Sequence, residues 1–154
     1  MEIRIDQIKK VMSDVTIVMY HYVREIQRSR FPEIKGLEVN LFKEQLLFLK
    51  KIYKFVTVEE VIESVYNNYK LPSKAVLLTF DDGYSDHYTF VFPILKELGI
   101  QGSFYIPAKA IKEHKMLDVN KIHFLLAAEP QTNRIITDIK LLIEKYRKDY
   151  NLQH

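Results

Sequence analysis

Six residues in a row, Ala75 to Phe80, are apolar except for Thr79, and two aspartates and a glycine come directly after them. A run this short, with Leu71-Pro72-Ser73 as a break before it, predicts a strand covered on both faces. Ser85 and Asp86 then open a helix predicted to run to Leu98, with Gly99 as the left-handed residue that ends it. Gly102 to Ile106 predicts another strand, closed by Pro107. Strand, helix and strand within about 30 residues form a βαβ unit, whose strands are parallel and whose crossover is right-handed. The chain is therefore read as α/β.

The remaining elements are consistent with that class. Val15 to Tyr20 is a β-branched run read as a buried strand. Val23 to Val39 contains Pro32 and Gly36 and reads as a long loop. Asn40 is a candidate N-cap for a helix whose apolar face is Phe42, Leu46, Leu49 and Tyr53. Lys54-Phe55-Val56 is a candidate short strand. Thr57 and Glu60 form a capping-box pattern for a helix to about Asn68. Asp118 to Ala128 predicts a helix with Val119, Ile122, Leu125 and Leu126 on its buried side. Thr137 to Asn151 predicts another, with Ile139, Leu142, Ile143 and Tyr146 apolar. Both tail helices are expected to cover the open side of the sheet or a partner chain.

At 154 residues the chain suffices for one hydrophobic core and not for two large domains. It holds no cysteine, so disulfides, thiolate metal sites and cysteine nucleophiles are excluded. Any metal must sit on Asp, Glu or His. A net charge of +3 gives no concentrated basic stripe, so nucleic acid is not expected as a partner. No apolar run reaches the roughly 20 residues of a membrane span. Met1 to Lys10 alternates charged and apolar residues, and the following Val15 to Tyr20 run is too short and has no small-residue cleavage site, which makes a poor signal peptide, so a cytoplasmic location is expected.

The chemistry concentrates at Asp81-Asp82-Gly83-Tyr84. Two adjacent carboxylates at the C-terminal end of a buried parallel strand lie where ligands bind in α/β folds. Neighbouring strand residues point to opposite faces, but a glycine directly after them lets the backbone turn and bring both to one cleft. Crowded carboxylates repel unless a cation is present, and a metal on one leaves the other free as a base. The competing reading is a strand-to-helix turn in which Asp81 or Asp82 satisfies the next helix N-terminus. His21, at the mouth end of the first strand, either faces the same cleft or is a strand-end histidine bonded to backbone. Tyr20, Tyr22 and Tyr84 either line a sugar site or pack. His87 reads as a solvent-exposed helix residue, and His114, His123 and His154 as surface or helix residues.

Thr79 to Gly83, then Leu95 to Ile100 with its Leu-x-x-x-Gly-Ile pattern, then Phe104 to Pro107, closely resemble the first conserved block of the polysaccharide deacetylases. These are the metal-dependent carbohydrate esterases of family four, which include chitin and nodulation-factor deacetylases. Val18 to Val23 resembles the Tyr-His opening strand of many members, and the resemblance covers roughly residues 14 to 111. It implies a parallel-stranded, distorted (β/α) barrel, Asp81 as general base, Asp82 as metal ligand and Gly83 as the turn glycine. It implies a divalent metal, zinc above all, and an acetylated carbohydrate substrate. Tyr84 and His21 are candidates for substrate binding or for supporting the site.

Beyond that block the chain departs from the family. The His-[Ser/Thr]-x-x-His motif that completes the metal site is absent. Too few strands are present for a complete barrel. The stretch from Met116 is similar to an insertion that some members carry. Residues 1–154 are accordingly read as a single domain, with a deacetylase-like N-terminal half at 14–111 and an insertion-like helical tail at 112–154. The expected function is removal of N-acetyl, less readily O-acetyl, groups from a sugar or polysaccharide precursor, with this chain a truncated and inactive part. The alternative is a non-catalytic remnant that binds a glycan or a partner. A metal phosphoesterase is a weaker reading, disfavoured by the lack of a Gly-rich phosphate loop. Open sheet edges or the helical tail are expected routes to a homo-oligomer.

Overall fold

The computed structural model describes residues 15–129 and 131–151. The expectations for Met1 to Lys10 and for His154 fall outside them. Strand β5, Ala75–Phe80, is central and all six of its residues are buried. It pairs with β1, Val15–Tyr20, in parallel along its whole length, from Val15 opposite Ala75 to Tyr20 opposite Phe80. On its other side its start pairs with β4, Lys54–Phe55, and its end with β6, Ser103–Phe104, again in parallel. These four strands form one sheet, and among the described residues it does not close into a barrel. The fold is an α/β arrangement with a parallel sheet, consistent with an incomplete deacetylase barrel.

Alternation along β5 sorts the core into two sides. Val76, Leu78 and Phe80 point to the side covered by helix α1, Val39–Ile52, which brings Phe42 and Leu46. The same side receives Val91 and Leu95 from the helical segment after the site. Tyr20 of β1 joins them, stacked on Phe80 at 5.2 Å between ring centroids. Ala75 and Leu77 point the other way and meet Val56, with Val58 and Val61 of helix α2, Val58–Asn67. That second side is covered over β5 and bare over β1, where Ile17 and Met19 are 47% and 58% exposed. The first strand is thus half open rather than buried as its composition suggests, because beyond Val15, which packs on the cluster of Val56, Ala75 and Leu77, nothing described covers that face.

Several elements obey their local signals. Helix α2 has the capping box its sequence announces: the Glu60 amide donates to Thr57 Oγ1 at 3.1 Å, and the Thr57 amide to Glu60 at 2.8 Å. Gly99 ends helix α3, Phe92–Leu98, with φ of 65°. Others differ. Helix α1 is capped at Glu38, two residues before Asn40, and Glu38 makes no side-chain cap. The loop from Val23 to Val39 holds two short parallel strands, β2, Val23–Arg24, and β3, Leu37–Glu38. Helix α4, Ala108–Glu113, precedes the tail.

The tail is helical, as α5, Asp118–Ala128, and α6, Thr132–Tyr146. It does not cover the open side of the sheet. Helix α5 docks through Asn120, Phe124 and Ala127 onto the loop cluster of Tyr22, Phe31 and Ile34. Val119, Ile122, Leu125 and Leu126, the face expected inside, are each about half exposed or more. The docked face has fewer aliphatics but fits better, since Phe124 sits edge-on to Phe31 and Tyr22 at 4.9 and 5.8 Å.

Candidate active site

Strand β5 delivers Asp81 and Asp82 to the end of the sheet. The Asp81 amide donates to the Tyr20 carbonyl at 3.0 Å, extending the β1–β5 ladder one residue past the strand. Asp82 and Gly83 then both adopt left-handed backbone, with φ of 71° and 64°. Aspartate tolerates this conformation better than most residues, and glycine adopts it freely. A side chain at Gly83 would also collide with Ile106, whose Cγ2 lies 2.7 Å from where a Cβ would sit. Two left-handed residues in succession break the alternation of the strand, so the two carboxylates are not constrained to opposite faces.

The carboxylates have different surroundings. Among the described residues the Asp81 carboxylate makes no hydrogen bond or ion pair, and it is half-buried. The Asp82 carboxylate accepts a hydrogen bond from the Tyr84 hydroxyl at 2.6 Å. Tyr84 shares its single proton with Asn120 Oδ1 of helix α5, 3.0 Å away. Burial, reinforced by the bond to Asp82, raises the Tyr84 phenol far above its ordinary range, so it stays a donor at any physiological pH. Its ring stacks on Tyr22 at 4.4 Å. Neither aspartate caps the next helix with its side chain.

A buried histidine supports the same corner, and the sequence pattern hides it. His87 begins a five-residue π-helical turn, His87–Val91, that continues into α3. It is 4% exposed, not the surface residue expected, and lies among the rings of Phe80, Tyr84 and Phe104. Its Nε2 lies 2.6 Å from the His21 carbonyl, which fixes Nε2 as the protonated nitrogen. Nδ1 is buried without a partner in the described structure. Desolvation, the largest influence, lowers the pKa of His87 and favours the neutral ring. A π turn is invisible to a 3.6-residue periodicity, and it turns inward a residue that a regular helix register leaves outside.

The remaining candidates lie around this corner or apart from it. His21 comes directly after β1, its ring exposed and without a hydrogen bond among the described residues, while its carbonyl anchors His87. Tyr20 belongs to the core. Its hydroxyl donates to Gln45 at 2.7 Å, and burial pushes its pKa up to about 12. Tyr22 is buried under Tyr84 and borders a cleft of about 420 Å³ lined also by Lys35, His123 and Glu129. Its hydroxyl lies 3.3 Å from His123 Nδ1. His114 is exposed at the end of α4. Arg24 of β2 binds Asp86 through Nε at 2.7 Å and also through its terminal nitrogen, with its guanidinium between the rings of Tyr22 and Phe124. This pair ties the loop strands to the start of the π turn.

The donor chemistry bears on a metal. Among the described residues no group of three or more His, Asp or Glu side chains stands close enough to hold an ion. Catalytic zinc takes three protein ligands and keeps a position for water. The donors among the described residues therefore do not fit a complete catalytic metal site. No helix among the described residues is long and apolar enough to cross a membrane.

Known proteins are similar to parts of this chain. Residues 68–138 match the model of the polysaccharide deacetylase family. A poly-beta-1,6-N-acetyl-D-glucosamine N-deacetylase of Escherichia coli K12 is 36% identical over 83 residues, covering 53% of this chain and 12% of that protein. The structure of IcaB from Ammonifex degensii aligns with a TM-score of 0.50 at 33% identity, over 61% of this chain and 39% of that one. The Streptococcus pyogenes deacetylase PplD, in complex with acetate, aligns with a TM-score of 0.52 at 27% identity, over 70% and 50%. The chain thus spans half or less of the length of each. Residues 68–138 hold the strand, the carboxylate turn and the helix after it, and over that segment the chain is similar to the polysaccharide deacetylase family.

Proposed function

We propose that this chain supplies the general base, Asp81, and one metal-binding carboxylate, Asp82, of a hydrolase that removes acetyl groups from a sugar or polysaccharide precursor. N-acetyl is favoured over O-acetyl, because the Escherichia coli relative is by name an N-deacetylase of an N-acetyl-D-glucosamine polymer. The observation that carries the reading is the inequality of two adjacent carboxylates. Asp82 is occupied by Tyr84, while Asp81 has no partner among the described residues and is available for a proton. In amide hydrolysis Asp81 takes the proton of the attacking water, and the leaving amine needs a proton from an acid.

The shortage of metal donors among the described residues supports a further part of the proposal, that these 154 residues alone have little or no turnover. The same shortage favours a second reading, a non-catalytic module that keeps the deacetylase scaffold to bind a glycan or a partner. Zinc dependence of a complete site would need donors besides Asp82.

The division of labour is tested in a full-length relative that retains this block. Asp82→Ala is expected to lose bound metal. Asp81→Asn is expected to keep metal and lose about 10²–10⁴-fold in turnover, the usual worth of an acid–base catalyst. Metal analysis beside an amine-release assay reads both. Equal loss of metal in the two variants contradicts the assignment.

A further inference from the structure

Helix α6 buries none of its described residues. An isolated helix of this length is marginal in water, so its apolar stripe calls for a cover. The stripe has a definite period. Ile135, Ile139, Leu142 and Tyr146 succeed one another at steps of four, three and four, the spacing of a coiled-coil seam. Ile136 and Ile143 extend it on one flank, and Asp138 and Lys145 border it on the other.

We propose that α6 is a self-association surface, pairing antiparallel with α6 of a second copy of this chain. The flanks select both the occupant and the direction. In an antiparallel pair each flank meets its own counterpart. Ile136 of one copy then faces Ile143 of the other, and Asp138 faces Lys145, with each contact made twice by symmetry. In a parallel pair Asp138 would face Ile143 and Lys145 would face Tyr150, leaving both charges against apolar groups. Asp138 has no ion pair among the described residues, and Lys145 rests over the Tyr146 ring, 5.2 Å from its centroid. Neither charge is committed to an opposite charge among the described residues of its own chain. The seam is only about four turns long, which places the interface at the small end of specific contacts and makes the dimer weak.

Sedimentation equilibrium of the 154-residue chain, from micromolar to millimolar, reads the association. The expected result is a reversible monomer–dimer equilibrium. Leu142→Glu, at the centre of the seam, is expected to weaken it by about 30-fold or more. Asp138→Lys should weaken it by about tenfold, since two attractions become two repulsions. Adding Lys145→Asp to that chain should restore the affinity to within about twofold of the original. An equimolar mixture of the Asp138→Lys chain with a Lys145→Asp chain should associate better than either alone. None of these side chains is in the core, so the monomer fold is spared. A chain that stays monomeric to millimolar overturns the proposal, and so does a dimer indifferent to the charge variants. The latter would mean that the stripe is covered some other way, for example by a segment of a longer polypeptide.

Discussion

Strand β5 and helix α6 each carry a row of large aliphatic side chains, and the chain treats the two rows in opposite ways. Around β5 every direction is used: β1 along one edge, β4 and β6 along the other, α1 and α3 over one face, α2 over the other. Around α6 no direction is used among the described residues. A strand has two edges whose backbone groups need partners, so its pairing is forced before any side chain is counted. A helix satisfies its own backbone and asks only for a cover on one stripe, which another molecule can supply. The carboxylate turn is attached to the first kind of element, and that is what lets Asp82 and Gly83 hold left-handed backbone in a fixed place.

The largest test of this contrast is truncation in each region. Phe80→Ala should cost about 4 kcal/mol, because Phe80 is fully buried and touches rings on several elements. Leu142→Ala should stay within about 0.5 kcal/mol in the monomer. Urea unfolding at low protein concentration measures both, and a large cost at Leu142 would place α6 on the body of the protein. A finer test sets two glycines with nearly the same φ against each other. Gly99→Ala meets no atom within 4 Å and should cost only the left-handed backbone, about 1 kcal/mol. Gly83→Ala adds the clash with Ile106 and should cost about 2 kcal/mol or more. Equal costs would mean that Ile106 yields and the site turn is less tightly held than described.

The smallest expected effect is on pH dependence. Burial lowers the pKa of His87 in the folded chain, opposed by the hydrogen bond to the His21 carbonyl and by the Asp86 and Asp82 charges, and aided by the charge of the His21 ring. Between the folded and unfolded values the unfolded chain binds more protons, so stability rises with pH there. The contribution is complete above the unfolded value of about 6.5 and is lost as pH falls toward the lowered folded value. The urea midpoint should therefore fall on acidification through that window. His87→Gln, which can still donate to the His21 carbonyl, should fall less. Parallel pH profiles for the two chains would remove His87 as a buried neutral group.

The parts legible in the sequence were those fixed by local rules. Ala75 to Phe80, the capping box at Thr57 and the end of α3 at Gly99 each arise from a few neighbouring residues. The hidden parts depend on three-dimensional fit. The amphipathic pattern of α5 pointed to Val119, Ile122 and Leu125, yet the chain docks Asn120, Phe124 and Ala127. Phe124 and Ala127 match the shape of the loop cluster, and Asn120 gives Tyr84 a second acceptor. The two-residue strands β2 and β3 are too short to leave a period. Tyr84 is legible as an aromatic beside the carboxylates, but its bond to Asp82 depends on how the turn at Asp82 and Gly83 folds back.

The most direct test of the central claim uses the 154-residue chain itself. Calorimetric zinc titration is paired with an amine-release assay on N-acetylated oligosaccharides. The account predicts no stoichiometric zinc of micromolar or tighter affinity and no turnover above background, because Asp81 and Asp82 stand without a third donor among the described residues. Tight stoichiometric zinc with turnover that Asp81→Asn abolishes would contradict it and would mean that this chain carries a complete site.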